Sequence, residues 1–349
     1  MENKLVSSGN SMMGFYVPYI RMKGLVAETF INTPYATSEN IDIYIDMNSL
    51  CKELYFHREP TNGAEEIVSS ALNLCAHYRH YFSTRHHTNT RFFIIYSDNY
   101  PEYCRSIIPD YGKKDNAARM KRPNIYNMVA GACLLMNDLC SYLPDIYFMT
   151  TEEETALYIM YSLWREQDYR TKNNVPAMII SKDPLTSLIF TKFNDIAFLR
   201  PRKYEAKDIS TIITTNTVMR NIVLQSSANI RYHQDLDIGD IVLLYSLIGV
   251  PSRSVKPICD SLTALKIISA HKHGVPLMQA IDDQRIITTR LDINMPVLDF
   301  NAQLINLTEK LSLDVDRYQM SKNRLCDPEW VKMVNNERFR YCPIMLDKL

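Results

Sequence analysis

The chain has 349 residues, of which 46% are hydrophobic and 22% charged, with 39 Lys and Arg against 39 Asp and Glu. Those proportions can fill a sizeable core and exclude a disordered polymer, and the zero formal charge leaves attraction to nucleic acid or acidic lipid to a local patch. Only nine glycines occur, and neither a GxGxxG nor a GxxxxGK[ST] run is present, which argues against phosphate binding by a glycine-rich loop. In chain order, residues 1–40 lack sustained periodicity and read as an N-terminal extension. IDIYIDMNSLCKELYF (41–56) reads as a strand that ends near Asp46, followed by a helix from about Ser49. Residues 64–82 have helical spacing, and 91–99 form a short apolar strand that ends on Asp98. A basic connector at 105–122 leads to an apolar helix at 124–143. A strand at 145–150 precedes a helix that opens on Thr151 (TEEETALYIMYSLW). VPAMIISKDPLTSLIF (175–190) reads as a buried strand delivering Asp183 to its carboxyl end, with a helix directly after it, and 194–201 as one more strand.

Beyond about residue 235 the pattern turns helical, at 237–249, 261–274 and 300–313, and the pattern is weakest across 275–349. Strands alternating with helices imply an α/β domain with a mainly parallel sheet flanked by helices, at 41–215, and a second, helical domain at 235–349. Eight cysteines at irregular positions without a CxxC pair suggest reduced thiols in a cytosol-like compartment. The first twenty residues have no apolar stretch after a basic start, and no run of about 18 apolar residues occurs anywhere. The expectation is therefore no secretory signal, no membrane span, and a cytoplasmic or virion-associated location. Abundant Asn, Ile and Tyr are compatible with an AT-rich, viral genome.

The acids at strand ends carry the functional reading. In an open parallel sheet, ligands bind beyond the carboxyl ends of the strands. Asp46, Asp98 and Asp183 fall at such ends, and Glu152 to Glu154 begin a helix just after a fourth strand. Carboxylates crowded there repel one another unless a hard divalent cation neutralises them, and such a cluster can activate water against a phosphodiester. Each acid also has an ordinary use. Thr151 and Glu154 fit a capping box, Asp183-Pro184 fits an N-cap with proline at the first helical position, and Asp98-Asn99 fits a turn.

The order of these pieces resembles the 5′-exonuclease and flap-endonuclease superfamily, with its PIN-like fold, and most of all its phage-type RNase H branch. The resemblance runs from about Ile41 to Ile268. YIDMNSL is similar to the first strand and its metal-binding Asp. IIYSDNYPEYCRSIIPDYGKKDNAARMKRP resembles a strand-end Asp followed by a basic arch over substrate, and LPDIYFMTTEEETALYIMYSL the helix with paired acids. MIISKDPLTSLIF and NDIAFLRP resemble the next strand, its acidic loop and the following hairpin. LLYSLIGVPSRSVKPICDSLTALKII resembles the helical DNA-binding hairpin.

The resemblance implies that Asp46, Asp98, Glu152, Glu154 and Asp183 bind metal and act in catalysis. It implies that Lys113, Lys114, Arg119, Lys121, Arg122 and Lys256 contact DNA or RNA. Against the family's pattern, Leu185 stands where the strand-end loop has a second acid, and Val250 and Arg253 stand where acids follow the hairpin glycine, Gly249. No further glycine occurs up to Ile268. Since clamping both attacking and leaving oxygens takes two ions, hydrolysis is expected to be impaired, with the protein kept for nucleic-acid binding or for a structural or assembly role. The alternative is an active 5′ nuclease using Mg²⁺ or Mn²⁺ on the reduced acid set.

The basic segment Arg105, Lys113, Lys114, Arg119, Lys121 and Arg122 is interleaved with Tyr100, Tyr103 and Tyr111, which suit base stacking but equally a solvated loop. Arg200, Arg202 and Lys203 read as ordinary surface. Cys75, His77 and His80 lack a second ligand pair at zinc spacing, so a metal site there is not expected. Tyr158, Met160 and Trp164 read as helix packing.

Overall fold

The computed structural model describes residues 38–55, 59–97, 120–151, 155–181, 196–199, 212–213, 259–284 and 327–349, with Arg105, Asp110, Leu243 and Leu247 singly. The first strand, β1 (Asn40–Asp46), alternates Ile with polar or aromatic residues, so its two faces meet different partners. It sits at the centre of a six-stranded sheet in the order β3-β2-β1-β4-β5-β6. The other strands are β2 (Asn89–Ser97), β3 (Ile146–Thr151), β4 (Ala177–Ile180), β5 (Ile196–Leu199) and β6 (Ile212–Ile213). All pair in parallel except β6, which runs antiparallel to β5. Strands accumulate outward from β1 to β3 and then jump back across β1 to β4, so the topological switch point lies between β1 and β4.

One face carries Ile41, Ile43 and Ile45 of β1, Phe92 and Ile94 of β2, Ile146 and Phe148 of β3, and Met178 and Ile180 of β4 in a single hydrophobic cluster. Three helices complete it: α1 (Met47–Tyr55), α2 (Gly63–His86) and α3 (Pro123–Cys140). In α1 the buried residues Met47, Leu50, Cys51 and Tyr55 recur at helical spacing, which is why a short helix forms directly on the strand end. Proline at its first position starts α3, where its missing N–H leaves no bond unmade. The other face is covered by α4 (Thr155–Arg165) and α5 (Gln167–Lys172). On α4, Tyr158 and Met160 pack inward, whereas Trp164 is 40% exposed and touches the Tyr161 ring.

The sheet-facing residues of this second side are partly polar. The Asp42 carboxylate is fully buried and accepts two bonds from Arg91, to Nε at 2.8 Å and Nη2 at 2.7 Å. The register pairs Asp42 with Arg91, Tyr44 with Phe93 and Phe93 with Tyr147, so the rings of Tyr44, Phe93 and Tyr147 stack across three strands. Burial holds the Asp42 carboxyl above its ordinary range even against the pull of Arg91, and burial likewise pushes up the Tyr44 phenol.

Beyond the sheet, α6 (Ser261–Lys272) begins where Asp260 accepts the Thr263 N–H, and stops at Gly274, whose φ of +91° is open to glycine without penalty. The N–H groups of Gly274 and Val275 close on the His271 and Ala270 carbonyls, a Schellman ending. A two-turn helix, α7 (Leu277–Asp282), follows. The last helix, α8 (Pro328–Arg338), is capped by Asp327, and its Trp330 ring lies 4.1 Å from that of Tyr142. Val331, Phe339 and Ile344 enter the sheet's own core, because these apolar residues find the face of α2 and α3 still to cover. Asn73 fixes the segment by donating to the Pro343 carbonyl and accepting the Met345 N–H.

Several boundaries move relative to the sequence expectation. The helix after β1 starts at Met47, since the Asp46 side chain caps it at once, and α2 runs on to His86. The anticipated helix at 124–143 ends at Cys140, where Ser141 and Tyr142 turn back onto Asp138 and Leu139. Apart from Leu243 and Leu247, which are helical, the helix expected at 237–249 lies outside the described residues, as do those at 300–313 and after Asp183 and the domain boundary near 215–235. The six described cysteines are unbridged. Among the described residues no helix is long and apolar enough to cross a membrane.

Candidate functional site at the carboxyl ends of the strands

Asp46 is the last residue of β1 and is 1% exposed. Its Oδ1 accepts the backbone N–H of Ser49 at 3.0 Å, which caps α1. Its Oδ2 accepts the hydroxyl of Ser181 at 2.7 Å. The register explains the second bond: Ile45 is level with Ile180, so the next residue of each strand meets across the switch point. One carboxylate oxygen thus caps the helix and the other meets the neighbouring strand.

Two residues on, Asn48 gathers the other side of the centre. Its Oδ1 accepts from the Ser97 N–H at 2.8 Å and from the Thr155 hydroxyl at 3.0 Å, while its Nδ2 donates to the Ser97 carbonyl at 2.5 Å. Ser97 ends β2 and is level with Thr151, the end of β3. Thr155 opens α4. Hydrogen bonds therefore join the carboxyl ends of β1, β2 and β4 and the start of α4 in one buried polar cluster: Asp46, Ser49, Ser97, Thr155 and Ser181.

Of the residues singled out from sequence, Asp46 alone among the five candidate ligands is described. Asp98, Glu152, Glu154 and Asp183 lie outside the described residues, as do Lys113, Lys114, Arg119 and Lys256. Their sequence neighbours are informative all the same. Asp98 follows Ser97, Glu154 precedes Thr155, and Asp183 comes two residues after Ser181, so three of these four acids are adjacent or nearly so in sequence to a member of the cluster, whereas Glu152 lies three residues before Thr155. The fit to a divalent ion rests here on donor chemistry: a buried carboxylate and several hydroxyls supply hard oxygen, which suits Mg²⁺, Mn²⁺ or Ca²⁺ and not a thiophilic ion. Among the described residues no group of three His, Cys, Asp or Glu side chains is close enough to hold a metal. In the Cys75, His77 and His80 run, Cys75 turns into the core and His80 to solvent.

Lys121 and Arg122 are exposed just ahead of α3. The short connection 141–145 places the last turn of α3 beside the amino end of β3, so the helix runs against the strands and its start lies at the carboxyl end of the sheet, the end that holds Asp46. Asn48, Ser97, Thr155 and Ser181 escaped sequence reasoning. Their signal is register, a property of strand pairing that no single segment displays.

Comparison with solved structures finds the same fold in 5′-nucleases of bacteriophage T5. The T5 flap endonuclease as a pseudo-enzyme–product complex with DNA and metal ions superposes with a TM-score of 0.53 at 9% identity, over 79% of this chain and 94% of that one. The T5 5′-exonuclease with bound zinc gives 0.53 at 8% identity, with the same coverage. The T5 protein co-crystallised with metal ions gives 0.52 at 9% identity, again over 79% and 94%. No family model matches the chain, and no curated protein matches it in sequence. The α/β fold of flap endonucleases and 5′-exonucleases is thereby established for this chain.

Proposed function

We propose that the chain binds nucleic acid across the carboxyl ends of its strands, holds a single divalent ion there through Asp46, and hydrolyses phosphodiesters poorly or not at all. The observation that supports the reading is the hydrogen bonding of Ser181 to Asp46 and of Ser97 and Thr155 to Asn48, residues that neighbour Asp183, Asp98 and Glu154 in sequence. A bound Mg²⁺ or Mn²⁺ would supply charge neutralisation and Lewis acidity toward a phosphate oxygen. The protein's part is to hold the ligating carboxylates, with Asp46 fixed by the Ser49 N–H and the Ser181 hydroxyl, and to attract the phosphate backbone with Lys121 and Arg122 and, by resemblance, Lys113, Lys114, Arg119 and Lys256. Impairment rests on sequence: Leu185, Val250 and Arg253 replace acids that would seat a second ion. A viral source accords with the Asn, Ile and Tyr content, a cytoplasmic or virion location with the irregularly spaced cysteines, and a role in assembly with this loss of acids.

A labelled 5′-flap DNA incubated with Mn²⁺ tests the reading, with Asp46→Ala as control. The expected result is salt-sensitive binding with little or no cleavage, and replacing Lys121 with Gln should lower the logarithmic salt slope by about 1. Multiple-turnover cleavage that is lost in Asp46→Ala would instead establish an active nuclease on the reduced acid set. Absence of any salt-dependent binding to DNA or RNA would leave a structural role.

A further inference from the structure

We infer that Asn48 is the positioning residue of this centre: one side-chain amide sets the spacing between the ends of β1 and β2 and the start of α4, to which the candidate ligands Asp46, Asp98 and Glu154 are joined in sequence. The inference rests on the divalent-ion reading above. The β1–β2 ladder ends with Asp46 opposite Ile95, and continuing the same register would place residue 48 opposite Ser97. By then the backbone has turned into α1, so it cannot offer Ser97 a strand partner. The Asn48 amide does so in its place, accepting the Ser97 N–H at 2.8 Å and donating to the Ser97 carbonyl at 2.5 Å. Since a backbone N–H can only donate and a carbonyl only accept, Ser97 fixes which way the amide points.

The same Oδ1 also accepts the Thr155 hydroxyl at 3.0 Å. One planar group thereby ties the residue before Asp98 and the residue after Glu154 to the turn that presents Asp46. Few side chains can replace it. Asp has no donor and would set an anionic oxygen against the Ser97 carbonyl; Ala would remove both bonds to the buried Ser97 backbone. Groups that orient metal ligands from behind commonly change metal affinity by about 10–100-fold when removed.

The test is Mn²⁺ titration of the full chain by electron paramagnetic resonance, with thermal melts in metal-free buffer. Asp46→Ala should abolish the site. Asn48→Ala should weaken Mn²⁺ binding by about 10–100-fold. Thr155→Val, which loses a single bond and nearly keeps its shape, should weaken it less, and Thr155→Ser should restore it. Wild-type Mn²⁺ affinity in both Asn48→Ala and Thr155→Val overturns the inference while leaving the ion reading intact. Where Asn48→Ala fails to fold, Thr155→Val against Thr155→Ser decides by the same criterion. A wild-type chain that binds no Mn²⁺, or an Asp46→Ala chain that binds it unchanged, overturns the ion reading and this inference with it.

Discussion

Replacing Arg91 with Ala should destabilise the fold strongly, and more at neutral than at acid pH. Asp42 is fully buried, and its two oxygens are held by Arg91 at 2.8 and 2.7 Å. Removing one partner of a buried pair strands the other charge, at a typical cost of about 3–5 kcal/mol. The Arg91 side chain is 24% exposed, so water can partly reach the gap, and the lower end of that range applies. Its guanidinium also lies 4.4 Å from the Tyr169 ring centre, a contact worth about 0.5–1 kcal/mol at a partly exposed site. The expected loss near neutral pH is therefore about 3–4 kcal/mol.

The pH dependence of that loss has a definite sign. Burial raises the Asp42 carboxyl above its unfolded value, and Arg91 is the largest influence pulling it down. A raised carboxyl favours the fold below its unfolded pKa, and that contribution is lost as pH rises through the folded pKa. Without Arg91 the folded pKa climbs further, so the variant carries a neutral Asp42 at low pH and a stranded charge, or a captured proton, at higher pH. The deficit against wild type should widen between about pH 4 and about pH 7. Urea unfolding of both proteins at the two pH values measures it. A neutral-pH loss under about 1 kcal/mol, or an equal loss at both, would refute a buried Asp42 whose charge Arg91 balances.

Phe148→Ala empties a fully buried position between the sheet and its helices, and should cost about 3–5 kcal/mol in denaturant unfolding; a change below about 1 kcal/mol would place that ring at a surface. Asn73→Ala severs two tethers to the C-terminal segment and should cost about 2 kcal/mol while speeding limited proteolysis within 327–349. Unchanged cleavage would detach that segment from the core. Burial pushes the Cys75 thiol up to about 12 and raises Cys140 well above its usual range, so neither should react with Ellman's reagent until urea unfolds the protein. Rapid native labelling mapped to Cys75 by mass spectrometry would contradict the packing.

What the sequence disclosed depended on whether a signal was local. IDIYID, RFFIIYS and AMII each announce a strand, since alternating or continuous β-branched and aromatic residues leave little else for a short apolar run to be. The helix expected at 261–274 was equally plain, and it forms over Ser261–Lys272. Even the sheet's parallel character followed from alternation of strands with helices. By contrast, the role of Ser181 depends on β4 lying beside β1 in one register, and the role of Asn48 on β1 stopping two residues short of Ser97. Those are facts of pairing between segments 135 and 49 residues apart in sequence. The C-terminal helix was missed for a related reason: PEWVKMVNNER has a weak apolar stripe, and it is held by Trp330, Val331 and Phe339 fitting onto α2 and α3 rather than by its own periodicity.

The most direct test is anomalous diffraction from Mn²⁺-soaked crystals of the full chain. A single peak ligated by Asp46 and lying beside Ser181 is the result expected if the proposed one-ion centre exists. A pair of ions bound side by side would contradict the depletion that Leu185, Val250 and Arg253 imply, and no peak at Asp46 would remove the ion from this end of the sheet altogether.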